Sequence, residues 1–426
     1  MKADARATDG LPRLTADQTA ERLGVKLETL YAYVARGRLQ RVRTAEGSLF
    51  DPLEVEAFAA SRRRRAAPPT HAEGSPLMVI DTSFAHIEDG ELWYRERPAP
   101  ELARAGFETV ARWALTGRWE ESAGFSPGAG VDVARRVAEA LPASAGDRDR
   151  VAVAVVALAA ADPLRTSLDR AVVASAVERL VAGMVEVLPT RGAGAPSAGE
   201  PGAPSTNEHD AGTLAHRLWP RLTATAPTPE AVAVLDAALV LLIDHDIAVS
   251  TLAARAAASA RATPYAVVSA GLGALDSPLH GNASRAAHRM LARVLGGEEP
   301  ARVVAGTVLS TAGPVPGFGQ PLYPEGDPRA TVLLALLAAV PQAAPVLEAV
   351  EVLSGILHER TSARPNVDLA LGALSLAAGM PDDAGEVVFA IARTVGWTVH
   401  ALDEYAQPPL RLRPRGRYAP TLAPPA

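Results

Sequence analysis

The stretch Ser277-Pro278-Leu279-His280-Gly281-Asn282-Ala283 carries the residue best suited to chemistry. A proline and small residues bracket one histidine, and a helical run from Ala286 to Val294 follows. His280 is therefore expected at or just before a helix N-terminus. Backbone N–H groups there disfavour a charged imidazole, so His280 should be neutral near pH 7. A neutral imidazole with a fixed N–H can donate to a developing oxyanion. A capping or packed histidine fits the same segment. Other reactive residues lie far apart in the chain. Asp244-His245-Asp246 interrupts a long apolar run and precedes Ser250-Thr251. Gly317-Phe318-Gly319-Gln320 leads to Asp327-Pro328-Arg329, and Asp368 follows Pro365-Asn366-Val367. Taken singly, Asp368 reads as a helix cap, Arg329 as part of a surface turn and Arg393 as a surface arginine.

Jointly these segments resemble the citrate synthase family, whose loop reads G-P-L-H-G-G-A-N where His280 stands. The segments around His245, Gln320, Arg329 and Asp368 follow in the family's order. So do Ile391-Ala392-Arg393-Thr394-Val395-Gly396-Trp397 and Arg413-Pro414-Arg415. Ile87-Glu88-Asp89-Gly90-Glu91-Leu92-Trp93-Tyr94-Arg95 is similar to the family's I-x-D-G-x-L-x-Y-R-G phrase, and Phe107 to Gly117 to its F-E-x-V-A helix. The resemblance covers roughly residues 78–426. It implies condensation of acetyl-CoA, or a homologue, with oxaloacetate, followed by thioester hydrolysis, with no metal and no tightly bound cofactor. It implies Asp368 as base, His280 as donor to the enolate oxygen, and His245, Arg329, Arg393 and Arg413 as acceptor ligands. Arg413 would act across a homodimer interface.

Four departures bear on that expectation. Gln320 stands where the family has the histidine that polarises the acceptor carbonyl. Glutamine keeps a neutral N–H but cannot pass a proton. Pro321-Leu322-Tyr323-Pro324 replaces a basic segment that helps to hold coenzyme A. Leu369-Ala370 replaces Phe-Tyr, which is expected to widen the pocket. Asn282 and Ser284 replace a glycine and an asparagine of the loop.

Composition sets the class. The chain has 426 residues, enough for two or three domains, and is 48% hydrophobic but only 4% aromatic. Small aliphatic residues at helical spacing favour an all-α body of close-packed helices. There are no cysteines, which removes disulfides, thiolate metal sites and cysteine nucleophiles. No P-loop is present. The N-terminus is polar, and apolar runs such as Val151 to Ala161 fall short of the roughly 18–20 residues that span a bilayer. A cytoplasmic protein without membrane contact is expected.

Charge is unevenly placed. Residues 1–67 hold 13 Lys/Arg and 9 Asp/Glu, a net of +4, against −10 for the remainder. A basic head on an acidic body suggests that only the head meets a polyanion. Residues 12–60 predict a winged helix-turn-helix. Thr15 caps a helix to Leu23, Gly24-Val25 turns, a second helix runs from Lys26 to Ala35, and Arg41 to Phe50 forms the wing. Asp51-Pro52 starts a third helix. Thr15, Ala20, Leu23-Gly24-Val25, Thr29-Leu30-Tyr31 and Tyr33 resemble the MerR/excisionase type. In such motifs the second helix enters the major groove of double-stranded DNA. The expected contacts are Lys26, Glu28, Thr29 and Tyr33, with Arg41 and Arg43 at phosphates. Arg62 to Arg65 lie on phosphates or form a solvated linker. A protein-protein module has the same shape.

The expected domains are therefore a head at 1–67, a linker at 68–77, a large domain at 78–276 with 380–426, and a small domain at 277–379. A disordered loop at 190–212, rich in Gly, Ala, Pro and Ser, interrupts the large domain. Two helices are expected between Pro227 and Ala270. A second function class fits the same residues: a DNA-binding regulator whose body senses a di- or tricarboxylate or an acyl-CoA without efficient turnover.

Overall fold

The computed structural model describes residues 11–44, 47–66, 79–121, 124–191, 212–277, 280–281, 283–310 and 315–416. The expected linker at 68–77 and nearly all of the loop at 190–212 lie outside these residues, as do Pro278, Leu279 and Asn282.

The N-terminal elements are β1 (Leu14–Thr15), α1 (Ala16–Leu23), α2 (Leu27–Ala35), β2 (Val42–Thr44), β3 (Gly47–Phe50) and α3 (Pro52–Ala66). Thr15 caps α1 reciprocally with Gln18: the Gln18 N–H donates to the Thr15 hydroxyl at 3.2 Å, and the Thr15 N–H donates to the Gln18 side chain at 2.9 Å. Gly24 ends the helix in the left-handed region at φ 60°. Asp51 caps α3 by accepting the Leu53 N–H at 2.8 Å. The strands pair antiparallel in the order β1-β3-β2. Leu14, Leu23, Leu30, Leu39, Phe50 and Val55 fill a small core of their own.

This unit is seated on the body. Arg22, paired with Glu56 at 2.9 Å, donates to the Val308 carbonyl at 2.7 Å. Arg360 pairs with Asp51 at 2.9 Å. Leu309 packs on the small core, and Leu53 belongs to the large one.

The body is mostly helical. A short sheet of β4 (Ala85–Glu88), β5 (Glu91–Tyr94) and β6 (Arg97–Pro98) opens it. The helical expectation passed over this hairpin, although Asp89-Gly90 is its turn, with φ 51° and 78°. There follow α4 (Ala99–Leu102), α5 (Phe107–Thr116), α6 (Val131–Glu139), α7 (Asp147–Ala161), α8 (Arg170–Glu186), α9 (Leu214–Leu222), α10 (Pro229–Leu241), α11 (Val249–Ser259) and α12 (Pro264–Leu275). The two helices expected from Pro227 to Ala270 are thus three: Arg261 at φ 61° and Pro264 break the run. The remainder is α13 (Ala283–Leu295), α14 (Pro300–Ser310), α15 (Pro328–Leu337), α16 (Ala344–Thr361), α17 (Val367–Ala377) and α18 (Ala384–Tyr405). Among the described residues, no single helix is long and apolar enough to cross a membrane.

The organising element is α18, buried along nearly its whole length. Arg393, Trp397, His400 and Glu404 recur at helical spacing and form one stripe. Gly396 lets that stripe meet the end of α10. A Cβ there would stand 2.0 Å from the Ile243 carbonyl oxygen, an impossible contact for any larger residue.

Candidate active site

The turn between α10 and α11 carries His245. Tyr94 holds it: the Asp244 N–H donates to the Tyr94 hydroxyl at 3.2 Å, and that hydroxyl faces the Val240 and Asp244 carbonyls at 3.1 and 3.2 Å. The His245 ring lies 5.3 Å from that of Tyr323. Burial, then the charges of Arg329 and Arg393, hold its pKa well below the ordinary histidine value. The imidazole is neutral, and its buried Nε2 has no hydrogen-bond partner. The Tyr323 hydroxyl is also buried and unpartnered. A buried polar atom left unpaired costs free energy, so both atoms favour a ligand that can bond them.

Arg393 rises from α18. Its Nε donates to the Leu242 carbonyl at 2.9 Å, and its guanidinium lies 4.5 Å over the Phe389 ring. His280 stands just before α13 and its ring meets Phe389 edge-on at 6.1 Å. Its Nε2 bonds the Ser250 hydroxyl at 2.8 Å, and the Trp397 Nε1–H donates to that hydroxyl at 3.3 Å. The His280 pKa falls to about 4. The cause differs from the expected one: burial comes first and the Arg393 charge second, rather than the helix N-terminus.

Arg329 begins α15 and is 3% exposed. Two of its nitrogens, Nε and Nη2, donate to both oxygens of Asp327 at 3.0 and 2.9 Å. Asp327 also accepts the Val367 N–H at 3.0 Å and so joins the starts of α15 and α17. One face of the Arg329 fork is therefore already occupied.

The Gln320 turn is strapped to the start of α17. The Asn366 N–H donates to the Gly317 carbonyl at 2.9 Å, and the Asn366 side chain donates to the Gly319 carbonyl at 3.0 Å. Gly317 has φ 82°, and a Cβ on it would lie 2.9 Å from Leu369. The Gln320 side-chain Oε1 accepts the Leu322 N–H at 3.4 Å. Its amide N–H groups have no partner among the described residues. Asp368 follows in the first turn of α17, and its pKa is pushed up to about 6 by burial. Arg329 opposes that shift and Asp327 adds to it. Leu369 and Ala370 are buried in the α17 core.

The structure thus gathers His245, His280, Arg329 and Arg393 close enough to shift one another's charge, and joins Asp368 through Arg329. Arg413 is apart from them, exposed beyond α18. Sequence reasoning missed the roles of Ser250, Trp397, Asp327, Tyr323 and Phe389, although all but Phe389 lie within or beside the quoted motifs. Among the described residues, no group of three or more His, Asp or Glu is placed to hold a metal ion.

On the head, Lys26 and Thr29 are exposed at the start of α2, and Arg43 is exposed on β2. Arg41 lies 5.4 Å over the exposed Tyr31 ring. Tyr33 does not join them. Its ring packs edge-on against Phe58 at 4.9 Å, with Arg62 5.6 Å above it. Arg62 is also engaged within the head, donating to the Leu23 carbonyl at 2.8 Å. The exposed aromatic on α2 is Tyr31.

Comparison with known proteins agrees with this geometry. The family pattern described as "Citrate synthase, C-terminal domain" matches residues 71–415. Citrate synthase of Dictyostelium discoideum is 35% identical over 202 residues, 45% of this chain and 39% of that protein. Citrate synthase of Saccharolobus solfataricus is 31% identical over 205 residues, 46% of this chain and 54% of that protein. The chain spans about half the length of the curated relatives it matches. Citrate synthase of Thermoplasma acidophilum, solved with carboxymethyl coenzyme A and oxaloacetate, superposes with a TM-score of 0.65 at 22% identity, covering 82% of this chain and 96% of that one. The fold, the family pattern and the order of the gathered residues converge, and the chain belongs to the citrate synthase family.

Proposed function

We propose that this chain joins acetyl-CoA, or a homologous acyl-CoA, to oxaloacetate and then hydrolyses the thioester. The observation that carries the reading is two neutral histidines beside two buried arginines, with a carboxylate near pKa 6 joined to the group. Asp368 removes a proton from the thioester methyl, and a pKa near 6 leaves it ionised yet more basic than an ordinary aspartate. His280, held by Ser250, donates to the enolate oxygen. Arg329, Arg393 and His245 bind the acceptor, and Arg413 completes the site from a second subunit. The carbanion forms the new C–C bond at the ketone carbon. The alkoxide takes its proton from water, because Gln320 has none to give. Water then cleaves the acyl-sulfur bond and releases the thiol. Residues 277–379 close over the remaining body as substrate binds. An assay of oxaloacetate-dependent thiol release from acetyl-CoA tests this. Release no greater than from the Asp368→Ala variant, with oxaloacetate still bound, would leave a sensor rather than an enzyme. Sedimentation of a stable monomer at micromolar concentration would remove the Arg413 role.

Gln320→His measures what the departure costs. The Gln320 amide can hydrogen-bond the acceptor oxygen, but a histidine can also give it a proton. Removing an oxyanion donor outright typically costs about 10²–10³ in turnover, so restoring the histidine is expected to gain about tenfold. Acceptor affinity should change little, the mark of an interaction made in the transition state. Unchanged turnover would move the defect to Pro321–Pro324.

The contact between head and body favours a second role. Arg22 and Asp51 tie the head to the Val308 carbonyl of α14 and to Arg360 of α16. We propose that the exposed face of α2 with the β2–β3 hairpin, a winged helix-turn-helix, binds double-stranded DNA through Lys26, Thr29, Tyr31, Arg38, Arg41 and Arg43. With about four phosphates neutralised, the log-log dependence of affinity on salt should have a slope of roughly −3 to −4. Full-length protein that retains no genomic fragment at low salt, or that binds without salt dependence, would exclude it.

A further inference from the structure

A chain of buried polar groups lies beneath the acceptor site, and the proposed chemistry makes no use of it. Arg411, beyond α18, pairs with both oxygens of Glu404 at 2.7 Å. Glu404 also accepts from Arg255 Nη2 at 3.1 Å. Arg255 Nη1 meets His400 Nδ1 at 3.2 Å, and His400 Nε2 meets Asp244 at 2.8 Å. Arg255, His400, Glu404 and Asp244 are each at most 1% exposed.

The chemistry of the chain fixes its proton. Arginine only donates, so His400 Nδ1 must accept from Arg255. The His400 proton is therefore on Nε2 and points at Asp244. At the far end, burial acts to raise the Asp244 pKa, but His400, then the Arg393 charge and the nearby His245 backbone N–H, hold it below the ordinary aspartate value. One oxygen has no hydrogen-bond partner and the other is held by His400, so His400 helps to set the orientation of the carboxylate. At the near end, Arg411 lies in the segment that also carries Arg413. That segment is pinned to the end of α11 by the Leu410 N–H, which donates to the Ser259 carbonyl at 2.7 Å.

We propose that Arg411, Glu404, Arg255, His400 and Asp244 form a positioning relay that couples the seating of the C-terminal segment to the orientation of His245 and Arg393. The proposal rests on the reading of His245 and Arg393 as acceptor ligands. If Arg413 serves a second subunit, the relay ties each site to the arm that completes its neighbour's. None of the four relay residues beyond Asp244 touches substrate.

The test uses the full chain and the variants Arg411→Gln, His400→Gln and His400→Phe. Glutamine can accept from Arg255 and donate to Asp244, whereas phenylalanine leaves both unpaired. Calorimetry with oxaloacetate is expected to show Arg411→Gln and His400→Phe weakened about tenfold, with His400→Gln near the parent. In ¹⁵N spectra of labelled histidines, the His245 signal, identified by its loss in His245→Asn, is expected to shift in Arg411→Gln. Parent-like oxaloacetate affinity and an unmoved His245 signal in Arg411→Gln would overturn the relay. If the parent binds no oxaloacetate, the acceptor reading fails, and the His245 signal in Arg411→Gln alone decides the relay: moved supports it, unmoved overturns it.

Discussion

Asp368→Ala is expected to lower turnover about 10³-fold while oxaloacetate still binds. In the proposed reaction Asp368 is the carbon base, and a positioned base contributes roughly 10²–10⁴-fold. Its pKa of about 6 sets the acid limb of kcat/KM, because protonation removes the base below that pH. His280, near 4, stays neutral across the same range and adds no second limb. The same shift has a stability consequence of definite sign. A carboxylate raised in the folded state penalises ionisation, so stability falls as pH rises from the ordinary aspartate range through about 6. Asp368→Asn is therefore expected to stabilise the protein at pH 8 by up to about 3 kcal/mol and to change little at pH 3. Thiol release paired with urea unfolding at the two pH values checks both. Equal stability of the variant and the parent at pH 8 would mean that the carboxylate is not confined.

Asp327→Ala is expected to cost about 3–5 kcal/mol of folding free energy. The change leaves Arg329 buried and unpaired, since Asp327 holds two of its nitrogens. It also removes the acceptor for the first N–H of α17, the helix that carries Asp368. Asp327→Asn keeps the size of the side chain and one acceptor but loses the charge, so it should fall between alanine and the parent. Chemical denaturation of the three proteins measures the series. A loss under about 1 kcal/mol for alanine would show that Arg329 reaches water or another partner.

Much of the site was legible in the sequence because its residues sit in short phrases tied to local geometry. Thr15 with Gln18 and Asp51 with Pro52 are capping signals, and the structure places α1 and α3 where they point. His245, Arg329 and Asp368 lie at helix starts or in turns, where polar residues stand out against apolar runs. What could not be read was set by contacts between distant segments. The neutrality of His280 comes from burial beside Arg393, more than a hundred residues away, and no property of its own loop reveals that. Tyr33 and Tyr31 are two residues apart on one helix, and only the packing of Phe58 decides which of them faces inward. That Leu369 and Ala370 are both buried could not be read from the sequence. Asp89-Gly90 was a readable hairpin signal hidden by the helical composition around it.

The interlocking of the two cores couples head and body. Leu53 of the head lies in the body's core, and Leu309 of the body packs against the head's. Cutting the chain after residue 66 would leave Leu309 facing water and the Val308 carbonyl without Arg22. Removal of the head is therefore expected to lower the stability of the body around α14. A substitution at this seam is expected to disturb head and body together.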